Sequence, residues 1–318
     1  MSMAMSVPSG SVVKSGESKT STGRFVLQPL GPFSLQASIA FQERFTPAAY
    51  GGASDDHLHM AFVVDGNEEA VGVCVREHEG KLLCEMHGEV DAQAAYAQTM
   101  RILSLDVDGR AWPLVGQRDP VIGQLQARYP GLRPVCFFSP YEAAAWALIG
   151  HRIRIAQAAG IKVRMARELG QAVEIHGERM YAFPGPDRLR KLEAFPGLFG
   201  RKVEYLRQLA LATLDGKLDA AYLRALPQEQ ALEHLKTLPG VGDFSAQLIL
   251  LRGAGAPDGL AAHEPRLGRA IALAYGLKSP PTAEEMERIA EAWRPYRTWA
   301  TLLLRVTLEA ATHEIADE

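Results

Sequence analysis

Leu238-Pro239-Gly240-Val241-Gly242 stands between two runs with helical spacing. Two glycines one residue apart let the chain reverse through dihedrals closed to other residues. The turn opens the N-terminus of the next helix, where free backbone N–H groups and the helix dipole suit a phosphate oxygen. Ser245 shares that first turn. Such a grip positions a nucleic-acid backbone without reading its sequence. Further along, His263 and Glu264 stand side by side in AAHEPRLGRA, at the start of another helical run. They place an imidazole that titrates near neutral pH beside a carboxylate, a pairing fit for acid–base work. Plainer roles are a loop histidine and a carboxylate N-cap favoured by the helix dipole. Asp258, in GAPDG, reads as part of a turn.

The elements that must position these residues follow from the patterning. The 318 residues are 47% hydrophobic, enough for one large core or two smaller ones. No apolar run reaches the roughly 18 residues of a membrane span, and no signal-peptide pattern opens the chain. Three cysteines make neither a disulfide framework nor a four-cysteine metal cluster, so a reduced cytoplasm is the expected compartment, on the nucleoid if the source is bacterial. The net charge is −3, but residues 1–132 hold 10 Lys+Arg against 15 Asp+Glu while 133–318 hold 24 against 22. Charge therefore neither requires nor excludes DNA. Residues 1–23 read as a disordered Ser/Gly-rich tail. Residues 24–111 alternate short β-branched segments with DGN and HEG turns, then a helix capped by Asp91, and predict an α+β domain with a small antiparallel sheet. From 112 to 318 strand signals fade, and a run of short helices predicts an all-α bundle. The run SPYEAAAWALIGHRIRIAQAAGIKVRMARELGQAV, ending at Val173, opens as a capping box with Ser139, Pro140 and Glu142, and Gly150 divides it into two helices. His57, His59, His78 and His87 read as surface or strand histidines.

The hairpin resembles the helix-hairpin-helix of the HhH-GPD superfamily of DNA glycosylases, and the chain is most similar to its AlkA type. The resemblance covers 112–318 well and 24–111 more loosely. It rests also on SPYEAAAWALIGHRI, FPGLFGRKVEYLRQLA and AWRPYRTWATLLLRV. It implies a monomer that binds double-stranded DNA, flips a damaged nucleotide and hydrolyses its N-glycosidic bond. By the resemblance Leu238, Gly240, Val241, Gly242 and Ser245 hold the DNA backbone. Arg152 takes the wedge position in the turn His151-Arg152-Ile153-Arg154, Arg154 meets phosphate, and Phe244 and Trp299 line the base pocket. Trp293 and Tyr296 are read as core. No organic cofactor or protein-bound metal is implied; a monovalent cation on the hairpin carbonyls is allowed.

Several departures matter. Phe244 stands where bifunctional members carry a Schiff-base lysine, which implies no lyase step. No cysteine lies beyond Cys136, so no iron–sulfur cluster is expected. Leu248 and Pro265 occupy positions where aromatics occur in the family. Glu264 falls where the family carries its catalytic aspartate, which stabilises an oxocarbenium-like sugar, and His263 would protonate a neutral leaving base. The extra methylene leaves two readings open, a glycosylase of alkylated bases that works through Glu264 and a damaged-DNA binder with little or no cleavage. A helical protein with a chance hairpin turn is the third.

Overall fold

The computed structural model describes residues 22–44 and 56–312. The expected tail lies outside them up to residue 21; Thr22 and Gly23 already belong to a strand, opposite His87 and Met86. The first part comprises β1 (Thr22–Leu27), α1 (Leu35–Arg44), β2 (His57–Val63), β3 (Ala70–His78), β4 (Lys81–His87) and α2 (Ala92–Ile102). Its strands form one antiparallel sheet in the order β1-β4-β3-β2. Asp91 caps α2 as expected, accepting from Gln93 N at 2.9 Å and Ala94 N at 3.3 Å. Phe62, Val73, Leu82, Ile102 and Phe138 join the sheet to its helices in one core.

The second part begins with α3 (Trp112–Arg118), α4 (Pro120–Arg128), α5 (Pro140–Gly150) and α6 (Ile155–Leu169). After it come β5 (Ala172–Ile175), β6 (Glu178–Tyr181), α7 (Pro186–Leu189), α8 (Lys202–Leu214), α9 (Ala220–Ala225), α10 (Gln228–Lys236) and α11 (Asp243–Leu248). A π-helical turn, Ile249–Gly253, extends α11, and α12 (Pro265–Tyr275), α13 (Ala283–Ala290) and α14 (Arg297–Thr312) close the chain. The helices pack into two cores. One lies among α5, α6, α8, α10 and α11; the other lies among α3, α4, α12, α13 and α14 around Trp112, Trp293 and Trp299. Among the described residues no helix is long and apolar enough to cross a membrane.

The expectation of an all-α second part needs correction. Gln171–Val173 do not continue α6, because Gly170 ends it and β5 pairs with β6 as a hairpin. Val173, Ile175 and Met180 of that hairpin pack on Ala61 and Cys74 of the N-terminal sheet. A Cβ on Gly72 would stand 2.7 Å from Ile175 Cγ1, so this glycine permits the close approach. Covered on both faces, β2 and β3 are buried along most of their length, which explains uninterrupted apolar runs in place of alternation.

Candidate nucleic-acid interface

The hairpin is built from two glycines with different jobs. Gly240 has φ +84°, and a Cβ there would stand 2.6 Å from Tyr205 Cδ2 and 2.8 Å from Leu148 Cδ2. It is fixed by backbone conformation and by packing against α5 and α8. Gly242, the N-cap of α11, has ordinary dihedrals and open space where a Cβ would go. That opening, in front of N–H groups of the first helical turn, is where a phosphate oxygen fits. Leu238 and Val241 are buried in the helical core, and Val241 N donates to Leu238 O at 3.0 Å. Their side chains anchor the hairpin and do not face a ligand. Ser245 requires a correction: it is buried, on the inner face of α11, so its hydroxyl is not part of an outer surface. We expect Gly240→Ala to lower stability by about 1–3 kcal/mol through backbone strain and clash. Gly242→Ala should leave stability within about 0.5 kcal/mol and still weaken DNA binding. Thermal melts and duplex titrations of both variants check this.

The turn after α5 lies beside the hairpin, since Leu148 of α5 touches it. Ser139 caps α5, accepting from Glu142 N at 3.0 Å. The Glu142 carboxylate is turned to Lys162 of α6, 2.6 Å from Nζ, with both side chains 5% exposed. The expected capping box is thus drawn into a buried ion pair that joins the two helices flanking the turn. Arg152 sits in that turn with φ +55°, unusual for a residue with a Cβ. Both Arg152 and Arg154 are exposed. Lys202, at the start of α8, donates to Ile149 O at 2.8 Å and fixes the C-terminal end of α5. Burial, then Lys202 and Arg152, push the His151 imidazole below its ordinary pKa.

Glu264 stands at the start of α12, a helix of the other core, and the segment before it leads back to the hairpin unit. It is the N-cap of α12, with Oε1 3.3 Å from Arg266 N and Oε2 3.2 Å from Leu267 N. Arg305 Nη1 of α14 lies 3.4 Å from the same Oε2, and the Glu264 side chain is only 10% exposed. His263 beside it is exposed. Asp258 is committed elsewhere, to Arg297 Nε at 3.0 Å and Arg294 Nη1 at 2.7 Å.

Trp299 also requires correction. It is 1% exposed, edge-on to Trp112 at 5.7 Å and tilted against Tyr296 at 4.9 Å, with the Arg133 guanidinium 4.8 Å over its ring. It is core, like Trp293, whose Nε1 donates to Asp119 Oδ2 at 2.9 Å. Phe244 is the opposite case, a large aromatic 62% exposed at the start of α11. Sequence patterning missed Arg305 and Lys202, whose partners are set only by packing.

These features define a class. No protein-family model matches the chain. Its fold is that of the helix-hairpin-helix DNA glycosylases. The 3-methyladenine DNA-glycosylase of Archaeoglobus fulgidus superposes with TM-score 0.73 at 22% identity, covering 90% of this chain and 99% of that one. By sequence the chain is similar to glycosylases of the AlkA type. It is 31% identical over 186 residues to DNA-3-methyladenine glycosylase 2 of Escherichia coli, covering 57% of this chain and 62% of the relative. It is 24% identical over 205 residues to the Bacillus subtilis DNA-3-methyladenine glycosylase, covering 63% and 68%. The probable bifunctional transcriptional activator/DNA repair enzyme AlkA of Mycobacterium tuberculosis matches at 30% over 224 residues, 69% of this chain but 44% of that protein. The chain thus spans about two thirds or less of these relatives' length.

Proposed function

We propose that the protein is a monofunctional DNA glycosylase that flips alkylated bases of the 3-methyladenine kind out of duplex DNA and hydrolyses their N-glycosidic bond. The observation that carries this is the joining of the open Gly242 helix start to the exposed Arg152 turn through Leu148. In this reading the N–H groups after Gly242 hold phosphate on one side of the lesion, and Arg154 holds it on the other. The hairpin carbonyls would hold a monovalent cation, which would add positive charge where the backbone is gripped. Arg152 fills the gap left by the flipped nucleotide, its guanidinium stacking on bases and bonding the orphaned partner. Phe244 offers a stacking face.

Glycosidic cleavage of an alkylated purine needs little acid help, because the ring already carries positive charge. As the C1′–N bond breaks, its electron pair leaves with the base and the sugar becomes an oxocarbenium-like cation. Glu264 supplies the negative charge that stabilises it and orients the water that adds to C1′. For a neutral leaving base His263 would supply the proton. Phe244 in place of a lysine supports water, not an amine, as the nucleophile.

A second reading, a damaged-DNA binder with little or no cleavage, draws on the commitment of the Glu264 carboxylate to its own helix and to Arg305. Both readings require phosphate contacts. Duplex affinity should fall linearly on a log–log plot against salt, with a slope of roughly 0.9 per phosphate neutralised. Arg154→Ala should lower that slope by about one. Affinity independent of salt would remove both. Base release from alkylated DNA by wild type, lost in Glu264→Gln with binding kept, separates the first reading from the second.

A further inference from the structure

The outer face of the N-terminal sheet gathers side chains that glycosidic chemistry does not use. His57 and His59 on β2, Cys74 on β3, and Glu85 and His87 on β4 face the same side, as the pairings His59–Cys74 and Cys74–Glu85 require. The β5–β6 hairpin lies over them and brings His176, at the first position of its two-residue turn with φ +51°. One nitrogen from each of His57, His59 and His176 and the Cys74 sulfur all lie within 4.8 Å of one another. His59 is 8% exposed, and neither of its ring nitrogens has a hydrogen-bond partner. Glu178 Oε2, 3.5 Å from its Nδ1, is near enough to orient the ring without hydrogen-bond geometry. Buried polar atoms are rarely left so.

We propose that His57, His59, Cys74 and His176 form a structural zinc site that clips the β5–β6 hairpin to the N-terminal sheet. Three imidazoles and a thiolate suit a borderline-soft cation and do not suit calcium or magnesium, which take oxygen. Tetrahedral zinc holds such donors roughly 3.5 Å apart, so the longest separation must close by roughly 1 Å. The half-buried His57 and the exposed His176 have room to rotate. Four protein ligands leave no open position, which marks a structural and not a catalytic centre. Carboxylates stand behind two of the histidines, as ligating histidines commonly require. They are Glu178 at His59 and Asp56, whose Oδ1 is 3.7 Å from His57 Nε2. Ligation by Cys74 displaces its thiol proton to solvent. A second grouping, Glu85, His87 and His176, competes for His176. It is the weaker one because Glu85 is already neutralised by Arg76 at 2.9 Å and Arg24 at 3.2 Å.

The position of the site gives it a role. The hairpin follows α6, and α6 follows the turn that carries Arg152. A metal joining hairpin to sheet therefore ties the N-terminal domain to the helical layer that would meet DNA. No short motif announces it, because the ligands come from β2, β3 and a turn far along the chain.

The test uses the full chain, stripped with chelator and titrated with Zn²⁺ alone, then with Co²⁺. One equivalent of Zn²⁺ is expected, with a raised melting temperature. Co²⁺ should give intense tetrahedral visible bands and a thiolate charge-transfer band that Cys74→Ser removes. His176→Asn, at an exposed turn whose positive φ asparagine tolerates, should keep its circular dichroism and lose at least about 100-fold in Zn²⁺ affinity. His87→Ala should bind as wild type. Absence of saturable binding by the folded chain, a weak octahedral cobalt spectrum, unchanged affinity in His176→Asn, or binding lost in His87→Ala would each overturn the proposal.

Discussion

Glu264→Gln is expected to slow single-turnover release of 3-methyladenine by about 10³-fold while duplex binding stays near wild type. One charge about 4 Å from a developing cation is worth about 4 kcal/mol at an effective dielectric near 20, and each 1.36 kcal/mol is about tenfold in rate. The fold should tolerate the change. Glutamine keeps an oxygen that can accept from Arg266 N and Leu267 N, so the cap of α12 persists in weaker form. What is lost is a charge–dipole interaction of about 0.3–1 kcal/mol and a partly exposed pair with Arg305 worth about 0.2–1 kcal/mol. A chemical effect of about 4 kcal/mol thus stands clear of a stability effect of at most about 2 kcal/mol. Glu264→Asp is the informative companion. It restores the aspartate that the resemblance implies at this position and shortens the reach to Arg305, and it should retain release. Rates unchanged in Glu264→Gln would move the catalytic charge elsewhere.

The second large effect falls on stability. Lys162→Met removes one partner of the Glu142–Lys162 pair, both buried to the same degree, and leaves a carboxylate inside the helical core. Breaking a buried pair from one side costs about 3–5 kcal/mol, whereas replacing both partners with apolar groups of similar volume is often neutral or stabilising. Glu142→Leu combined with Lys162→Met should therefore recover most of the loss, as read by urea denaturation of the two variants and wild type. Burial holds the Lys162 amine below its ordinary pKa and Glu142 opposes that, the balance expected where desolvation and pairing compete. Because the pair joins α5 to α6 across the Arg152 turn, the double variant also asks a functional question. If the pair serves to set the angle of that turn, duplex binding should weaken in the double variant although its stability returns. Full stability with full binding would make the pair a packing solution alone.

Much of the architecture was legible where local chemistry decides it. Asp91, Ser139 and Gly150 mark helix boundaries through capping and the left-over carbonyls of a helix end, and the structure follows them. The Leu238–Gly242 hairpin was legible for the same reason, since two glycines so spaced have few other uses. What the pattern hid depends on contacts distant in sequence. β5 and β6 are four residues each and half exposed, too short for alternation to register, and the helical spacing of α6 reads on into Val173 of β5. Trp299 lies near arginines in sequence, yet its burial is decided by Trp112 on α3. Ser245 shows that a hairpin residue one turn from a helix start faces inward or outward according to a helical phase that type alone does not give. Glu142 illustrates the same limit: its spacing from Ser139 fits a capping box, but a lysine on the next helix takes its carboxylate. The histidines of β2, β4 and the β5–β6 turn come together only once the sheet register and the hairpin's seat are known.

The most direct measurement is single-turnover incubation of the wild-type chain with duplex DNA carrying 3-methyladenine, following free base and strand integrity together. The account predicts release of the base at a rate well above the spontaneous one, leaving an intact strand with an abasic site that breaks only on later alkali treatment. Tight binding of the duplex with no base released, or release coupled to strand scission, would contradict it.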